Sequence, residues 1–223
     1  MMVYSDKDIL RAYQEGKIII DPFVPENIKG SSLDLTLGQW FYTTEADKGY
    51  NYYNPFSKSS VDRFFGEVKR AMPHRQWCKQ HGLELFEGIS PDHPIIVLAP
   101  RERILAHTNE FVGIKAPGTT KMLARSSWGR NGISVCYDAG WGDPGYINRW
   151  TMEIYNNNTD HSVPLRVGER VAQMVFHQTG EVARSYDQIG KYQTTDDIDK
   201  LKRDWRPDMM LPQSYKDQLP WIE

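Results

Sequence analysis

The chain has 223 residues, 39% hydrophobic and 25% charged, and its 27 Lys and Arg side chains nearly balance 29 Asp and Glu side chains. A chain of this length can bury enough apolar surface to fold as one domain without disulfides or a structural metal. The net charge of -2 provides no basic surface for nucleic acid or anionic lipid. No apolar run approaches the ~18 residues of a membrane span, and the first residues lack the pattern of a signal peptide. We therefore expect a cytoplasmic protein that binds neither nucleic acid nor membrane.

The cysteines and histidines exclude the common zinc sites. Cys78 and Cys136 are the only cysteines and lie on different kinds of segment, so a disulfide is not expected. A zinc-dependent nucleobase deaminase needs a P-C-x-x-C pair and an H-x-E glutamate, and neither motif is present. The six histidines form no H-E-x-x-H motif. Any deamination by this chain would therefore proceed without zinc.

The first forty residues predict one short helix followed by strands. Ser5 and the acids after it are typical of a helix N-terminus, and Gly16 is typical of a helix end, so we predict a helix over 5–16. Ile18–Ile20 is a buried apolar run. The leucines within 31–37 recur with period two, which predicts a half-buried strand.

Residues 44–94 differ in composition and are interpreted as an insertion. They are polar and aromatic, with little alternation and one candidate helix over 60–72. A long segment without strands is uncommon inside a compact domain unless it covers a site or contacts another chain. The sequence is equally consistent with an insertion that forms a surface loop and has no role in a site or an interface.

From Pro94 onward the pattern is that of an all-β domain. Seven short apolar or alternating runs predict strands at 95–98, 103–106, 111–114, 133–137, 150–155, 162–165 and 170–176. Their spacing indicates a sandwich, a jelly roll or a barrel. We predict one β domain over 1–195 that contains the insertion. Residues 196–223 form a charge-rich C-terminal tail that is expected to be mobile until it finds a surface.

Two turns carry candidate binding groups. Residues 124–130 place two arginines and two serines around a glycine, which suits phosphate oxygens, although such clusters are more often solvent-facing. Pro144-Gly145 fits the centre of a type II turn, which brings Asp143 and Tyr146 together. This pair could bind a sugar hydroxyl and stack on a ring, or could merely cap the turn and pack in the core.

Glu153 is the third candidate. Alternation along the predicted strand places Trp150, Met152 and Ile154 on one face and Glu153 with its neighbours on the other. A carboxylate within an apolar, aromatic strand is costly to bury unless it has a partner or a role. Exposure on an open sheet face and a general base with a raised pKa both fit this pattern.

Taken together in chain order, these motifs resemble the dCTP deaminases of the trimeric dUTPase superfamily. The resemblance covers most of the chain except 44–94 and the residues after about 195. Its matching segments are residues 5–9, 20–23, 31–35, 124–130, 143–146, 151–153, 168–173 and 190–193.

The resemblance implies a distorted jelly-roll-like β barrel, a homotrimer with sites at its subunit interfaces, and dCTP bound with Mg²⁺ through its phosphates. It implies that Glu153 is the general base and acid of deamination at C4 of cytosine. Ser126 and Arg130 would bind phosphate and fix the water or substrate, with the neighbouring subunit as one source of these groups. The remaining implied binding residues are Arg125, Ser127, Asp143, Thr151, Met152, Gln173, Tyr186 and Lys191.

The closest motif match is to bifunctional dCTP deaminase/dUTP diphosphatases, because Ala139-Gly140-Trp141 stands where monofunctional bacterial deaminases tend to carry His-Arg. Asp143 then takes the place of the dUTPase catalytic acid and Tyr146 that of its ring-stacking partner, giving dUMP as product. Gly142 and Asn148 depart from the family pattern, with Asn148 at a usual glycine. A plain dUTPase and a non-catalytic nucleotide-binding regulator are the alternatives, and Glu153 argues against the former.

Overall fold

Antiparallel strands make up most of the regular secondary structure. The computed structural model of the protein describes residues 2–44, 51–137, 139–193 and 195–217. The described strands are β1 (Met2–Val3), β2 (Ile18–Asp21), β3 (Ile28–Lys29), β4 (Ser32–Thr43), β5 (Lys69–Arg70), β6 (Met72–Pro73), β7 (Pro94–Leu98), β8 (Arg103–Ile114), β9 (Gly118–Ala124), β10 (Ile133–Ser134), β11 (Trp141–Gly142), β12 (Ile147–Asn156), β13 (Val163–Arg166) and β14 (Arg170–Gln178).

Six α-helices and three short 3₁₀ turns accompany these strands in the described part of the chain. The helices are α1 (Asp6–Gln14), α2 (Lys58–Phe65), α3 (His74–His81), α4 (Ser126–Arg130), α5 (Tyr186–Ile189) and α6 (Ile198–Asp204). The 3₁₀ turns are Pro25–Asn27, Pro207–Met210 and Ser214–Lys216. None of the helices formed by the described residues combines the length and apolarity that crossing a bilayer requires.

The main sheet follows the order β10-β12-β8-β4-β14-β9-β11, with β1, β2, β3 and β5 attached at its sides. The long strands exchange partners along their length. On one side of β8 the first half pairs with β4 and the second half with β2, while β12 follows its other side. A smaller sheet of β13, β7 and β6 lies beside it. This partner exchange curls the main sheet into a half barrel, and the all-β, jelly-roll-like prediction is confirmed.

The N-terminal helix is confirmed in detail. The Ser5 hydroxyl accepts a hydrogen bond from the Asp8 amide at 3.3 Å, and the Asp8 carboxylate accepts one from the Ser5 amide at 3.1 Å. This reciprocal pair satisfies two backbone donors that the first turn leaves free. Gly16, with φ at 68°, follows the helix end. The N-terminal prediction succeeds because capping depends on neighbours in sequence.

The regular secondary structure from Pro94 onward consists mainly of strands, as predicted, but several of the predicted strand boundaries are wrong. The predicted strands 103–106 and 111–114 are one strand, because the polar residues between them are buried: His107, Thr108 and Glu110 are each no more than 3% exposed. The carboxylate of Glu110 accepts hydrogen bonds from the amide and hydroxyl of Thr36, which compensates its burial. The strand over 118–124 was not predicted. The predicted strand 133–137 ends at Ser134, because the backbone turns at positive φ at Cys136.

The segment 44–94 contains more regular structure than its composition indicates. A helix was predicted over 60–72, but the observed helix α2 is shorter and begins two residues earlier. The Ser57 side chain caps its first turn, and Gly66, whose φ is 62°, follows its last residue. Two short strands and α3 follow, and β5 pairs with β4 of the main sheet. Residues 45–50 lie outside the described residues. The boundaries of the insertion and of the tail stay predictions.

The C-terminal tail packs against the insertion. A small group of buried residues, called the second core here, comprises Tyr42, Val61, Phe65, Leu105 and Met210. Around it pack Trp40, Tyr53, Phe64, Trp205, Leu211 and Tyr215. The tail was expected to be mobile until it met a surface, and residues 205–215 meet that surface on their own chain. Helix α2 and the C-terminal tail thus cover one end of β4 and β8.

Candidate active site

A cleft of about 520 Å³ lies where β12, the segment 51–65 and the C-terminal tail meet. Its volume is that of a small-molecule site. Five of the twelve site residues predicted from sequence line this cleft: Asp143, Tyr146, Thr151, Glu153 and Tyr186.

Glu153 faces the cleft from β12. The strand alternates as predicted, with Met152 and Ile154 fully buried and Glu153 on the other face, opposite Leu105 of β8. Its Oε2 atom is buried and has no hydrogen-bond partner among the described residues. Burial raises the pKa of Glu153 to about 7, while the positive charge of Arg103 acts in the opposite direction. The carboxyl group can therefore both take up and release a proton near neutral pH.

Asp143 and Tyr146 enter the cleft from the predicted turn. The Tyr146 amide donates a hydrogen bond to the Asp143 carbonyl at 2.9 Å, and Gly145 adopts φ of 90°, as a type II turn requires. The Tyr146 ring packs edge-on against Trp150 and Tyr186, at centroid distances of 5.0 and 4.9 Å. Burial raises the pKa of Tyr146, so this hydroxyl stays protonated. Asp143 is exposed within the cleft and can reach a bound molecule.

The two departures from the family pattern fit the local structure. Gly142 lies in β11, and a Cβ atom there would overlap the Thr120 hydroxyl and the Trp150 ring. Asn148 lies in strand β12 and does not have a positive φ, so a residue other than glycine fits this position without backbone strain. Its side-chain amide donates to the Tyr192 carbonyl at 3.0 Å. Asn148 therefore ties the strand to the chain segment that follows α5.

The Arg-Ser cluster lies outside the cleft. Residues 126–130 form the one-turn helix α4, on which Ser126, Ser127 and Arg130 are exposed. Arg125, just before the helix, forms an ion pair with Asp34 at 3.1 Å. The buried Asp34 also pairs with Arg170, at 3.3 Å. Arg125 therefore has a structural partner, while the other three side chains are free to meet a ligand or another subunit.

Three further predicted residues also lie away from the cleft. Met152 is fully buried in the main core, because the alternation that turns Glu153 toward the cleft turns its neighbour inward. Gln173 lies within β14, between β4 and β9. Lys191 lines an adjoining cavity of about 470 Å³ and binds the Asp217 carboxylate at 2.6 Å. Met152 can therefore reach a ligand in the cleft only through its backbone.

Several residues that line the cleft were not predicted from the sequence. Arg103 and Arg149 come from β8 and β12, Tyr53 from the insertion, and Trp205 from the C-terminal tail. Arg149 is held by its aromatic neighbours, with its guanidinium carbon 4.9 Å from the Phe111 ring centroid and 4.8 Å from that of Trp205. Extending the predicted alternation by one residue, from Trp150 back to Arg149, would have placed Arg149 on the face of Glu153.

Comparison with known proteins decides the family. A family model described as "dCTP deaminase-like" matches residues 3–179. The chain belongs to this family. Proteins named "dCTP deaminase, dUMP-forming" from Methanopyrus kandleri and Methanosphaera stadtmanae are 35% and 32% identical to it. The alignments cover 86% and 92% of this chain and 91% and 96% of those proteins.

Membership in the dCTP deaminase-like family confirms the resemblance found in the sequence, and a solved structure supports the fold. The dCTP deaminase of Agrobacterium tumefaciens superimposes with a TM-score of 0.54 at 18% identity, over 79% of this chain and 46% of that one. The family match includes the insertion with Tyr53 and the strand with Glu153, but ends before the C-terminal tail. The packing of that tail against the cleft is therefore seen only in the structure.

Proposed function

We propose that this chain is a hydrolase that deaminates dCTP and then converts dUTP to dUMP. The observation that carries this proposal is the buried Oε2 atom of Glu153, which has no hydrogen-bond partner among the residues that the structure describes and belongs to a side chain in the same cleft as Asp143. The dUMP-forming deaminases that resemble the chain over most of its length support the same activity.

In the first reaction Glu153 acts on water and on the cytosine ring. The ionised carboxylate accepts a proton from water as the water oxygen attacks C4 of the base. The carboxylic acid then returns this proton to the C4 amino group, the C4–N bond breaks, and ammonia leaves. The overall change is dCTP plus water to dUTP plus ammonia. A pKa near 7 suits both proton transfers, since neither protonation state is strongly disfavoured at neutral pH.

In the second reaction Asp143 acts on a different water. Its exposed carboxylate accepts a proton as the water oxygen attacks the α-phosphorus, and pyrophosphate leaves to give dUMP. Tyr146, supported by Trp150 and Tyr186, offers an aromatic surface for the nucleoside. The rigid turn fixes Asp143 and Tyr146 relative to each other, so a nucleoside that contacts the ring is oriented toward the carboxylate.

Mg²⁺ is expected to bind mainly through the nucleotide. The described residues contain no group of three or more His, Cys, Asp or Glu side chains placed to hold an ion. Mg²⁺ commonly takes its oxygens from phosphates, water and one or two carboxylates, and the exposed Asp143 could supply one of these. When bound, the ion would neutralise phosphate charge and assist pyrophosphate departure.

The separation of the predicted residues supports a site built from two subunits. The Glu153 cleft contains few groups for a triphosphate, whereas Ser126, Ser127 and Arg130 are exposed elsewhere on the chain. In a homotrimer, α4 of one subunit could complete the cleft of its neighbour. Cyclic symmetry would then repeat the same contact three times and give three equal sites.

The direct test is to incubate the purified protein and Mg²⁺ separately with dCTP and with dUTP, and to measure ammonia and pyrophosphate. We expect both products from dCTP and pyrophosphate from dUTP. Ammonia alone would make the chain a monofunctional deaminase, and pyrophosphate from dUTP alone would make it a plain dUTPase. Binding of both nucleotides without either product would indicate a regulatory member of the family.

A further inference from the structure

The insertion contributes Tyr53 to the cleft. Its ring lines the same cleft as Glu153, and its hydroxyl oxygen is buried without a hydrogen-bond partner among the described residues. Leaving a buried hydroxyl unpaired is costly, so such groups in a native protein usually have a role. Glu153 Oε2 is the other buried atom in this cleft with the same property.

The position of Tyr53 is fixed by packing. Its ring stacks on Phe64 at a centroid distance of 4.3 Å and meets the edge of Phe65 at 6.4 Å. The next residue, Asn54, donates its amide to the Ser60 hydroxyl at 3.0 Å, which ties the segment to α2. A hydroxyl group on so well-packed a ring is positioned before any ligand binds, and such preorganisation favours binding.

Tyr53 and Glu153 lie near the same cation. The positive charge of Arg103 opposes the rise in pKa that burial causes at both side chains. Arg103 also lines the cleft. All three side chains line the one cleft that must hold the base if Glu153 acts at C4.

We propose that the Tyr53 hydroxyl binds the N3/C4 edge of the pyrimidine and holds the ring both before and after deamination. This inference rests on the proposed function. Deamination reverses the pattern of that edge: cytosine offers an acceptor at N3 and a donor at the C4 amino group, whereas uracil offers a donor at N3 and an acceptor at O4. A hydroxyl group can donate or accept by rotating, whereas a guanidinium only donates and a carboxylate only accepts. Tyrosine therefore suits an enzyme that keeps one ring through two reactions.

The test compares Tyr53→Phe with Tyr42→Phe. Both changes remove one hydroxyl from the residues in and around the second core, but Tyr42 does not line the cleft. Each is combined with Glu153→Gln, and binding of the α,β-imido analogues of dCTP and dUTP is measured by calorimetry with Mg²⁺. We expect Tyr53→Phe to weaken binding of both analogues about five- to tenfold, the range for one lost hydrogen bond, and Tyr42→Phe to change it less than twofold.

Equal binding by the two double variants would overturn the inference, as would a loss confined to the dCTP analogue. Thermal unfolding of each variant checks that the fold is retained, and the Phe side chain preserves the stacking on Phe64. With Glu153 present, Tyr53→Phe should raise KM for both substrates more than it lowers kcat. Failure of the proposed function is seen separately, because the protein with Tyr53 and Glu153 intact would then release no ammonia from dCTP.

Discussion

The indole ring of Trp205 lies over the guanidinium group of Arg149, with 4.8 Å between the guanidinium carbon and the ring centroid. The same indole contacts the His107 ring at 4.7 Å. Arg149 and His107 belong to neighbouring strands of the main sheet, whereas Trp205 belongs to the C-terminal tail. One side chain thus fixes the tail beside the cleft, through contacts that combine apolar burial with cation–π attraction.

Replacing Trp205 with Ala should release the tail from the sheet. We expect a loss of roughly 2 kcal/mol in the free energy of unfolding, less than for a fully buried tryptophan because Trp205 is half-buried. Trypsin should then cut more rapidly at Lys200, Lys202 and Arg203 in α6, which mass spectrometry can follow. Trp77→Ala is the matched control, because Trp77 stacks on His81 in α3 and does not line the cleft. An unchanged cleavage rate in Trp205→Ala would show that other contacts hold the tail.

Glu153→Gln should abolish ammonia release from dCTP and leave pyrophosphate release from dUTP measurable. The amide keeps the size of the side chain but cannot accept the proton of the attacking water. Both products are measured on the same preparation, with dUTP hydrolysis serving as the internal control for folding and nucleotide binding. Loss of both activities together would argue against separate roles for the two carboxylates.

Asp143→Asn should have the opposite effect. We expect pyrophosphate release from dUTP to fall by at least about 100-fold, as removal of a general base commonly does, while ammonia release from dCTP continues. The amide preserves the turn, which is closed by backbone atoms of Asp143 and Tyr146. The product of dCTP turnover should change from dUMP to dUTP, which chromatography distinguishes directly. Continued formation of dUMP would exclude Asp143 as the base.

The pH dependence of deamination should reflect Glu153. Because the ionised carboxylate starts the reaction, kcat/KM for dCTP should rise with pH through an apparent pKa near 7 and level off above it. Hydrolysis of dUTP depends on Asp143, so kcat/KM for dUTP should not show this rise through an apparent pKa near 7. A dCTP profile that is already flat from pH 5 upward would contradict a buried general base with a raised pKa.

The same carboxyl group should make folding depend on pH. Its pKa in the folded protein is raised above the value in the unfolded chain, so the folded state holds the proton more tightly. The stability associated with this proton is fully present below about pH 4 and is lost as pH rises through 7. Glu153→Gln should therefore raise the free energy of unfolding by about 3 kcal/mol at pH 8 and have little effect at pH 4. Denaturant unfolding at the two pH values measures the difference, and equal effects at both would contradict it.

A mixing experiment tests the proposed contribution of a second subunit. Glu153→Gln and Arg130→Ala should each lack deaminase activity when alone. If each site combines Glu153 of one subunit with Arg130 of another, random exchange in equal amounts should restore about one quarter of full activity. Each variant taken through the same exchange by itself is the control, and native mass spectrometry shows whether mixed trimers form. Mixed trimers without recovered activity would place both groups in one subunit's site.

The sequence by itself determined the strand that carries Glu153, the turn before it and the family. In a strand, local covalent geometry sends alternate side chains to opposite faces, so the pattern alone separated Glu153 from Met152. Pro144-Gly145 fixed the turn for a similarly local reason. Motif order along the chain then supplied the family, which the comparisons confirm.

Only the tertiary structure decided what surrounds Glu153. Tyr53, Arg103 and Trp205 are far apart in sequence, and no short-range pattern marks them as neighbours. They meet because the insertion and the tail bury apolar side chains against each other in the second core. The buried polar residues of β8 were likewise misread as a break between strands, since hydrogen bonds from Thr36 to Glu110 and from the Trp40 amide to His107, both distant in sequence, compensate their burial. The direction of a side chain is set by the local backbone. Its burial and the identity of its neighbours depend on packing between segments that are distant in sequence.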